Sequence, residues 1–292
     1  MDDGITLLAD ALLETVGQAG TVGVPSAIEA YLRMPLADFA KLKTLLPTVQ
    51  FGSDNTVMAR LRAIKSDQEV AKIRQACAIA GRAFDRVPEI AGAGIPLERV
   101  FRDFQRLLLE EGADWVPYLA GGAGPDGYDD VISPASEAPL VAGDVLMLDT
   151  GAVFDGYFCD YDRNYVVGRT HPDQQSAWDV LQEATAAGRE ACRVGNTASD
   201  VFHAMDRIVT GGAGGSDAGR LGHGLGMQLT EGLSFMAADH TVLEAGMVIT
   251  LEPGVMMPGG GMMVHEDDFV VRDEGAEATV TERASRIDEG VK

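Results

Sequence analysis

Hydrophobic positions recur along this chain with two periods. Near the amino end, Ile5, Leu8, Leu12 and Val16 fall on one face of a helix predicted over 5–16. The short apolar run at 21–24 reads as a strand. Leu36, Phe39, Leu42 and Leu45 mark a helix over 35–46, closed by Pro47, and 48–51 reads as a second strand. Together these make an αβαβ fragment of about sixty residues, short for a free-standing doubly wound domain. Residues 61–65 read as a linker. A new unit starts at Ser66, which forms a capping-box pattern with Glu69. Val70, Ile73, Cys77, Ala80 and Phe84 then trace the buried face of one helix. Leu97, Val100, Phe101, Phe104, Leu107 and Leu108 trace a second, over 96–111. Residues 121–139 are rich in Gly, Pro and Asp and read as a loop. Helices are predicted over 174–193 and from Asn196 or Thr197 to about 209, followed by a glycine-rich run at 211–226.

The period-two segments carry the chemistry. Residues 145–149 are apolar and strand-like, Asp155-Gly156 is a two-residue hairpin signal, and 157–167 is rich in aromatic and β-branched residues. With Asp155-Gly156 as the loop, Phe154 pairs with Tyr157, and Asp149 lies opposite Asp162. Asp160 sits diagonally beside that pair, so three carboxylates project from one face. A second hairpin is predicted from strands over 247–251 and 262–271 around the turn Pro258-Gly259-Gly260-Gly261. In that register Glu252 faces Glu266. Acids directly opposite each other repel unless something positive lies between them. The same inference arises from two separate hairpins and points to a metal centre. His223, flanked by Gly222 and Gly224, adds one nitrogen to an oxygen-rich set. Two aspartates and two glutamates carry four negative charges, which balance two divalent cations, and oxygen-rich ligation suits Mn, Co, Fe or Zn.

Composition narrows the partners. The formal net charge of −22 argues against nucleic acid and against anionic membrane surfaces. The three cysteines, Cys77, Cys159 and Cys192, are far apart and form no zinc knuckle or disulfide framework, which points to a reducing cytoplasm. Met1-Asp2-Asp3 is acidic where a secretion signal would be basic, and no apolar run reaches transmembrane length.

The motifs LDTGA, DYDRNYVVG, GHGLG, TLEPG and the HED at 265–267, in this order, resemble the creatinase/methionine aminopeptidase family, and within it the Xaa-Pro aminopeptidases and prolidases. The resemblance covers roughly 64–273. It implies an α+β, pita-bread fold, with a curved antiparallel sheet carrying the metals and helices outside. It places the catalytic domain at 63–292, preceded at 1–62 by a partial creatinase-like N-terminal domain. It also implies two divalent ions held by Asp149, Asp160, His223, Glu252 and Glu266. Asp160 and Glu266 are expected to bridge the ions, with Asp149 on one ion and His223 and Glu252 on the other. The resemblance further implies a metal-activated water as nucleophile, Glu252 as the group that moves the proton, and a homodimer.

The departures from the family pattern matter too. The loop at 129–134 lacks the histidine that aminopeptidase members carry there. Thr230 stands where a second histidine is usual and Asp162 where Thr or Ser is usual, and both are expected to touch the metal ligands or the substrate. Arg163 is expected either to orient the carboxylates or to form a plain salt bridge, and His265 to fix Glu266 by a hydrogen bond. Tyr118 and Tyr128 are candidates to line the pocket. Three functions fit: an Xaa-Pro-type dipeptidase or aminopeptidase, an enzyme of the same fold acting on a cyclic amidine, methylated amine or sulfonium compound, and a non-enzymatic binding protein.

Overall fold

A computed structural model of the chain describes residues 4–27, 30–132, 135–215, 219–280 and 287–292. It divides into two compact units, Met1–Arg62 and Ala63–Lys292. In the first, helices α1 (Ile5–Val16) and α2 (Leu36–Leu45) alternate with strands β1 (Thr21–Val24) and β2 (Gln50–Ser53). The strands pair in parallel, with Val22 opposite Phe51. Ile5, Ala9, Leu42, Leu46 and Val49 form the core between them. Where a linker was expected there is a further helix, α3 (Val57–Ala63). Arg60 and Arg62 lie toward its C-terminal end, where basic side chains suit the helix dipole.

The second unit repeats one order of elements. Helices α4 (Asp67–Asp85) and α5 (Leu97–Glu110) lead into strands β3 (Trp115–Gly124), β4 (Val145–Phe154), the short β5 (Tyr157–Phe158) and β6 (Tyr161–Val167). Helices α6 (Pro172–Ala191) and α7 (Ala198–Val209) then lead into β7 (Gly222–Gly224), β8 (Val248–Leu251), β9 (Gly254–Met256), β10 (Met262–Val264), β11 (Asp267–Arg272) and β12 (Gly275–Ala278), with β13 (Asp288–Val291) last. Strands of the first half, joined by the C-terminal β13, form a sheet of order β13-β6-β4-β3, and the second half forms one of order β12-β11-β8-β7.

Local chemistry sets these elements. Ser66 caps α4 and accepts the Glu69 N–H, while Glu69 accepts the Ser66 N–H at 2.7 Å. The apolar faces read from the sequence are the buried faces of α4 and α5, which pack over Leu146, Leu148, Tyr161 and Tyr165 of β4 and β6. Thr197 caps α7 through a reciprocal pair with Asp200. Asp155 and Gly156 both take positive φ, 47° and 81°, as a tight hairpin turn of the primed type requires.

Three segments differ from the sequence reading. The first part of the expected loop at 121–139 belongs to β3, a ten-residue strand. Its Gly121-Gly122 hid it, yet Gly121 is there because a Cβ would collide with the Met147 carbonyl oxygen of β4. Gly222–Gly224, expected as loop, pairs with β8 as a strand. The return strand of the second hairpin is broken at His265-Glu266 into β10 and β11, although its register runs unchanged on both sides of the break. Ser133 and Pro134 of the segment without a histidine, and 216–218 of the glycine-rich run, lie outside the described residues.

Candidate metal centre

The two hairpins hold the registers that the turn chemistry demands. Asp149 on β4 faces Asp162 on β6, and Phe154 faces Tyr157. Asp267 faces Leu251 and Gly254 faces Val264, so Glu252 and Glu266 stand opposite in the gap between those pairs. Strand β7 adds His223 beside Thr250 of β8. Ligand atoms of Asp160, His223 and Glu266 lie within 4.8 Å of one another, and all three residues are buried. The His223 Nε2 is 3.4 Å from Asp160 Oδ2. Its Nδ1 lies 3.0 Å from the Gly224 carbonyl oxygen, which fixes the proton on Nδ1 and leaves Nε2 a free lone pair.

Asp149 and Glu252 border this group. The carboxyls of Asp149, Asp160, Glu252 and Glu266 are all pushed upward, first by burial and then by the other acids. Asp149 reaches about 8. Glu252 reaches about 7, because Arg220, whose Nε donates to Glu252 Oε1 at 3.2 Å, pulls it back. Burial drives His223 down to about 3, so its imidazole is neutral. Oδ1 of Asp149 and Oδ1 of Asp160 are buried without any hydrogen-bond partner. Unpaired buried acceptors, acids that repel and a neutral imidazole form a donor set suited to divalent cations.

Neighbouring side chains orient the ligands. Tyr118 on β3 donates to Asp149 Oδ2 at 2.9 Å, and Thr250 donates to Glu266 Oε1 at 2.6 Å. The backbone N–H of Asp160 is accepted by Asp268, which also accepts the Cys77 thiol. Sequence reasoning missed Thr250, Asp268 and Arg220. Each was marked by its place, two residues before Glu252, two after Glu266 and three before His223.

Two expectations, for His265 and Tyr128, are revised. His265 does not bond the Glu266 carboxylate. Its ring lies between Asp162 at 3.5 Å and Asp267 at 3.2 Å, and those acids raise it to about 9. Of the two roles expected for Arg163, the salt bridge is the one present: it pairs with Asp267 at 2.8 Å, binds the carbonyls of Asp162 and Glu266, and sits against Tyr161 and Phe84. Tyr128 is a buried pin whose hydroxyl accepts the Val264 N–H. Only Tyr118 of the two tyrosines reaches the cluster. Thr230 is half-buried in the loop after β7 and makes no hydrogen bond or ion pair among the described residues. A separate cavity of about 440 Å³ between α6 and β11–β12 touches His265 and Asp267 but none of the five clustered residues.

The sequence profile of metallopeptidase family M24 matches residues 71–273. A probable dipeptidase PepE of Mycobacterium bovis is 31% identical over 262 residues, covering 89% of this chain and 68% of its own length. An Xaa-Pro dipeptidase of Pyrococcus furiosus is 30% identical over 282 residues, covering 94% of this chain and 78% of its own. Among solved structures, dipeptidase PepE from Mycobacterium ulcerans superposes with a TM-score of 0.83 at 28% identity, covering 99% of this chain and 75% of that one.

Proposed function

The chain belongs to metallopeptidase family M24, and from that premise we propose that it cleaves Xaa-Pro-type dipeptides with two divalent ions held by Asp149, Asp160, His223, Glu252 and Glu266. The fold is the pita-bread fold, and the chain is a hydrolase of peptides that uses divalent metal. The observation that carries the finer reading is the buried convergence of Asp160, His223 and Glu266 with the unpartnered Oδ1 atoms of Asp149 and Asp160. Bound divalent ions supply Lewis acidity and a water activated near neutral pH.

The chain's own groups do the rest. Asp160 and Glu266, one from each half, would be carboxylates that hold the ions. His223 offers Nε2. Glu252, with 24% of its side chain exposed, is the carboxylate that would take the proton from the attacking water and pass it to the leaving amine. Tyr118 and Thr250 hold Asp149 and Glu266 in place through the hydrogen bonds described above.

The remaining parts of the proposal are Mn or a similar borderline metal, a homodimer, a cytoplasmic location and a partial creatinase-like character for residues 1–62. Three buried, unpaired thiols support a reducing compartment. No described helix is long and apolar enough to cross a membrane. The test is chelation followed by reloading with Mn or Co, elemental analysis, and assay on Xaa-Pro dipeptides and tripeptides beside small cyclic amides. About two ions per chain and metal-dependent release of proline are expected. Turnover confined to the cyclic amides would overturn the peptide assignment.

A further inference from the structure

The cavity of about 440 Å³ between α6 and β11–β12 lies behind the segment that carries Glu266. Its volume falls within the range of small-molecule sites, about 300–1,000 Å³. Its floor is the reverse face of that segment. His265, Asp267 and Phe269 alternate along the chain and line the cavity, and all three are buried. Glu266 and Asp268, between them, face Asp160 and His223 instead. Its wall is one stripe of α6, on which Gln182, Thr185 and Arg189 lie three and four apart.

The proposed hydrolysis uses none of this, yet the lining is that of a polar site. Thr185 is 7% exposed, and its Oγ1 has no hydrogen-bond partner among the described residues. Gln182, one turn earlier, makes no hydrogen bond among them either. A buried hydroxyl left unpaired is destabilising, and a ligand that bonds it removes that penalty. Charges of both signs surround it. Arg189 is seated over the Phe269 ring, 5.8 Å from its centroid, with Nε donating to the Ala276 carbonyl at 3.2 Å. Arg193 follows one turn later. On the strand side, Glu274 of the β11–β12 turn makes no hydrogen bond or ion pair among the described residues. The other two acids have partners: Asp267 has Arg163 and His265, and Glu190 lies 3.7 Å from Arg193. Guanidinium groups on the helix side, a carboxylate on the strand side and apolar surface from Phe269 and Ala278 match a small zwitterion.

We propose that this cavity is a second site, separate from the metal centre, that binds a free amino acid with an apolar side chain. Arg189 and Arg193 receive its carboxylate, Glu274 its ammonium group, and Phe269 and Ala278 its side chain. The occupant rests on His265 and Asp267, the residues on either side of Glu266, and so steadies Glu266 from behind. That coupling, though not the binding, rests on the reading of Glu266 as a metal ligand in the proposed function.

Calorimetry on the Mn-loaded protein and on the protein in chelator compares L-leucine, N-acetyl-L-leucine and L-leucinamide. Leucine is expected to bind in both metal states, and in chelator about tenfold more tightly than either blocked form. Glu274→Gln is expected to abolish the preference over the acetylated form, and Arg193→Met to reduce the preference over the amide. Both side chains are exposed, so these changes leave the fold in place. Metal retention, measured against a competing chelator, should rise about fivefold with leucine at saturation. No leucine binding in chelator, or equal binding of the three compounds, overturns the proposal, and the wild type alone decides this. Binding that ignores Glu274→Gln and Arg193→Met but is lost in Glu266→Ala would place leucine at the metal centre and overturns it too. Unchanged metal retention at saturation overturns the coupling. A protein that hydrolyses no peptide sinks the proposed function alone, because none of these readouts needs turnover.

Discussion

Oδ1 of Asp162 accepts the backbone N–H of Glu266 at 2.9 Å. The bond joins β6 of one sheet to the entry of β11 of the other, so each half of the unit fixes a ligand of its counterpart. Asp162 and Asp149 face each other in register but have different surroundings. Asp149 keeps an oxygen unpaired, while Asp162 is fully buried among Glu266 N–H, Asn164 and His265.

The expected outcome of Asp162→Asn or Asp162→Thr is therefore weaker metal retention, by about 10- to 100-fold, as is usual for groups that orient ligands. The preference between dipeptides and small cationic substrates should not change, because Asp162 is committed to the protein. Metal titration against a competing chelator, together with the activity ratio, checks both parts. A shifted ratio with unchanged affinity would instead put Asp162 in contact with substrate.

Thr250 predicts a second, separable effect. Removing its hydroxyl in Thr250→Val leaves Glu266 Oε1 without its donor. Loss of one buried hydrogen bond to a charged group costs about 1.5–3 kcal/mol, so metal affinity should fall at least about tenfold. Thr250→Ser should restore it. The readout is the metal dissociation constant from competition.

Metal removal should invert the pH dependence of stability. Asp149 at about 8 and Glu252 at about 7 are raised above their ordinary values, so the folded, metal-free protein holds protons that the unfolded chain releases. The stability these groups give is present at low pH and lost as pH rises through those values. His265, raised to about 9, has the same sign: its contribution is full below the ordinary histidine value and lost as pH rises toward 9. His223, lowered to about 3, acts with the opposite sign while the unfolded imidazole still titrates and falls silent by about pH 7.5. Between about pH 6.5 and 8.5 the thermal midpoint should fall in chelator and hold steady or rise with metal bound. A flat profile in chelator would show that the acids are not mutually repelling.

Much of this was readable in the chain before the fold was known, and the reasons are specific. Asp155-Gly156 dictates a two-residue turn, and that turn alone places Asp149 against Asp162. Pro258 to Gly261 does the same for Glu252 and Glu266. The faces of α4 and α5 follow from spacing because tertiary packing agrees with it at every position named. What was hidden depended on distant partners. β3 looks like loop because its glycines answer to the approach of β4, and β7 for the same reason with β8. The contacts of His265 and Arg163 depend on Asp267 and Asp162, which meet only when the two sheets come together.

Gly222 carries the fourth prediction. Its φ is +138°, and a Cβ there would run into the Thr250 carbonyl oxygen and the Phe235 ring. Gly222→Ala should cost more than about 3 kcal/mol, combining backbone strain with a collision inside a sheet. Thermal denaturation measures it. Gly156→Ala is strained by φ +81° but meets open space, so its cost should be limited to about 1–2 kcal/mol.

The thiol of Cys77 donates to the same Asp268 oxygen that accepts the Asp160 N–H, and all three cysteines are buried with their thiols pushed up. Such sulfurs are inert toward an external disulfide until the chain around them opens. Cys77 and Cys159 lie in the first half and Cys192 in the second, so their alkylation rates act as two internal clocks. Cys77 reports the breathing of the lattice that grips Asp160. Cys192 reports the loosening of the helices behind β8.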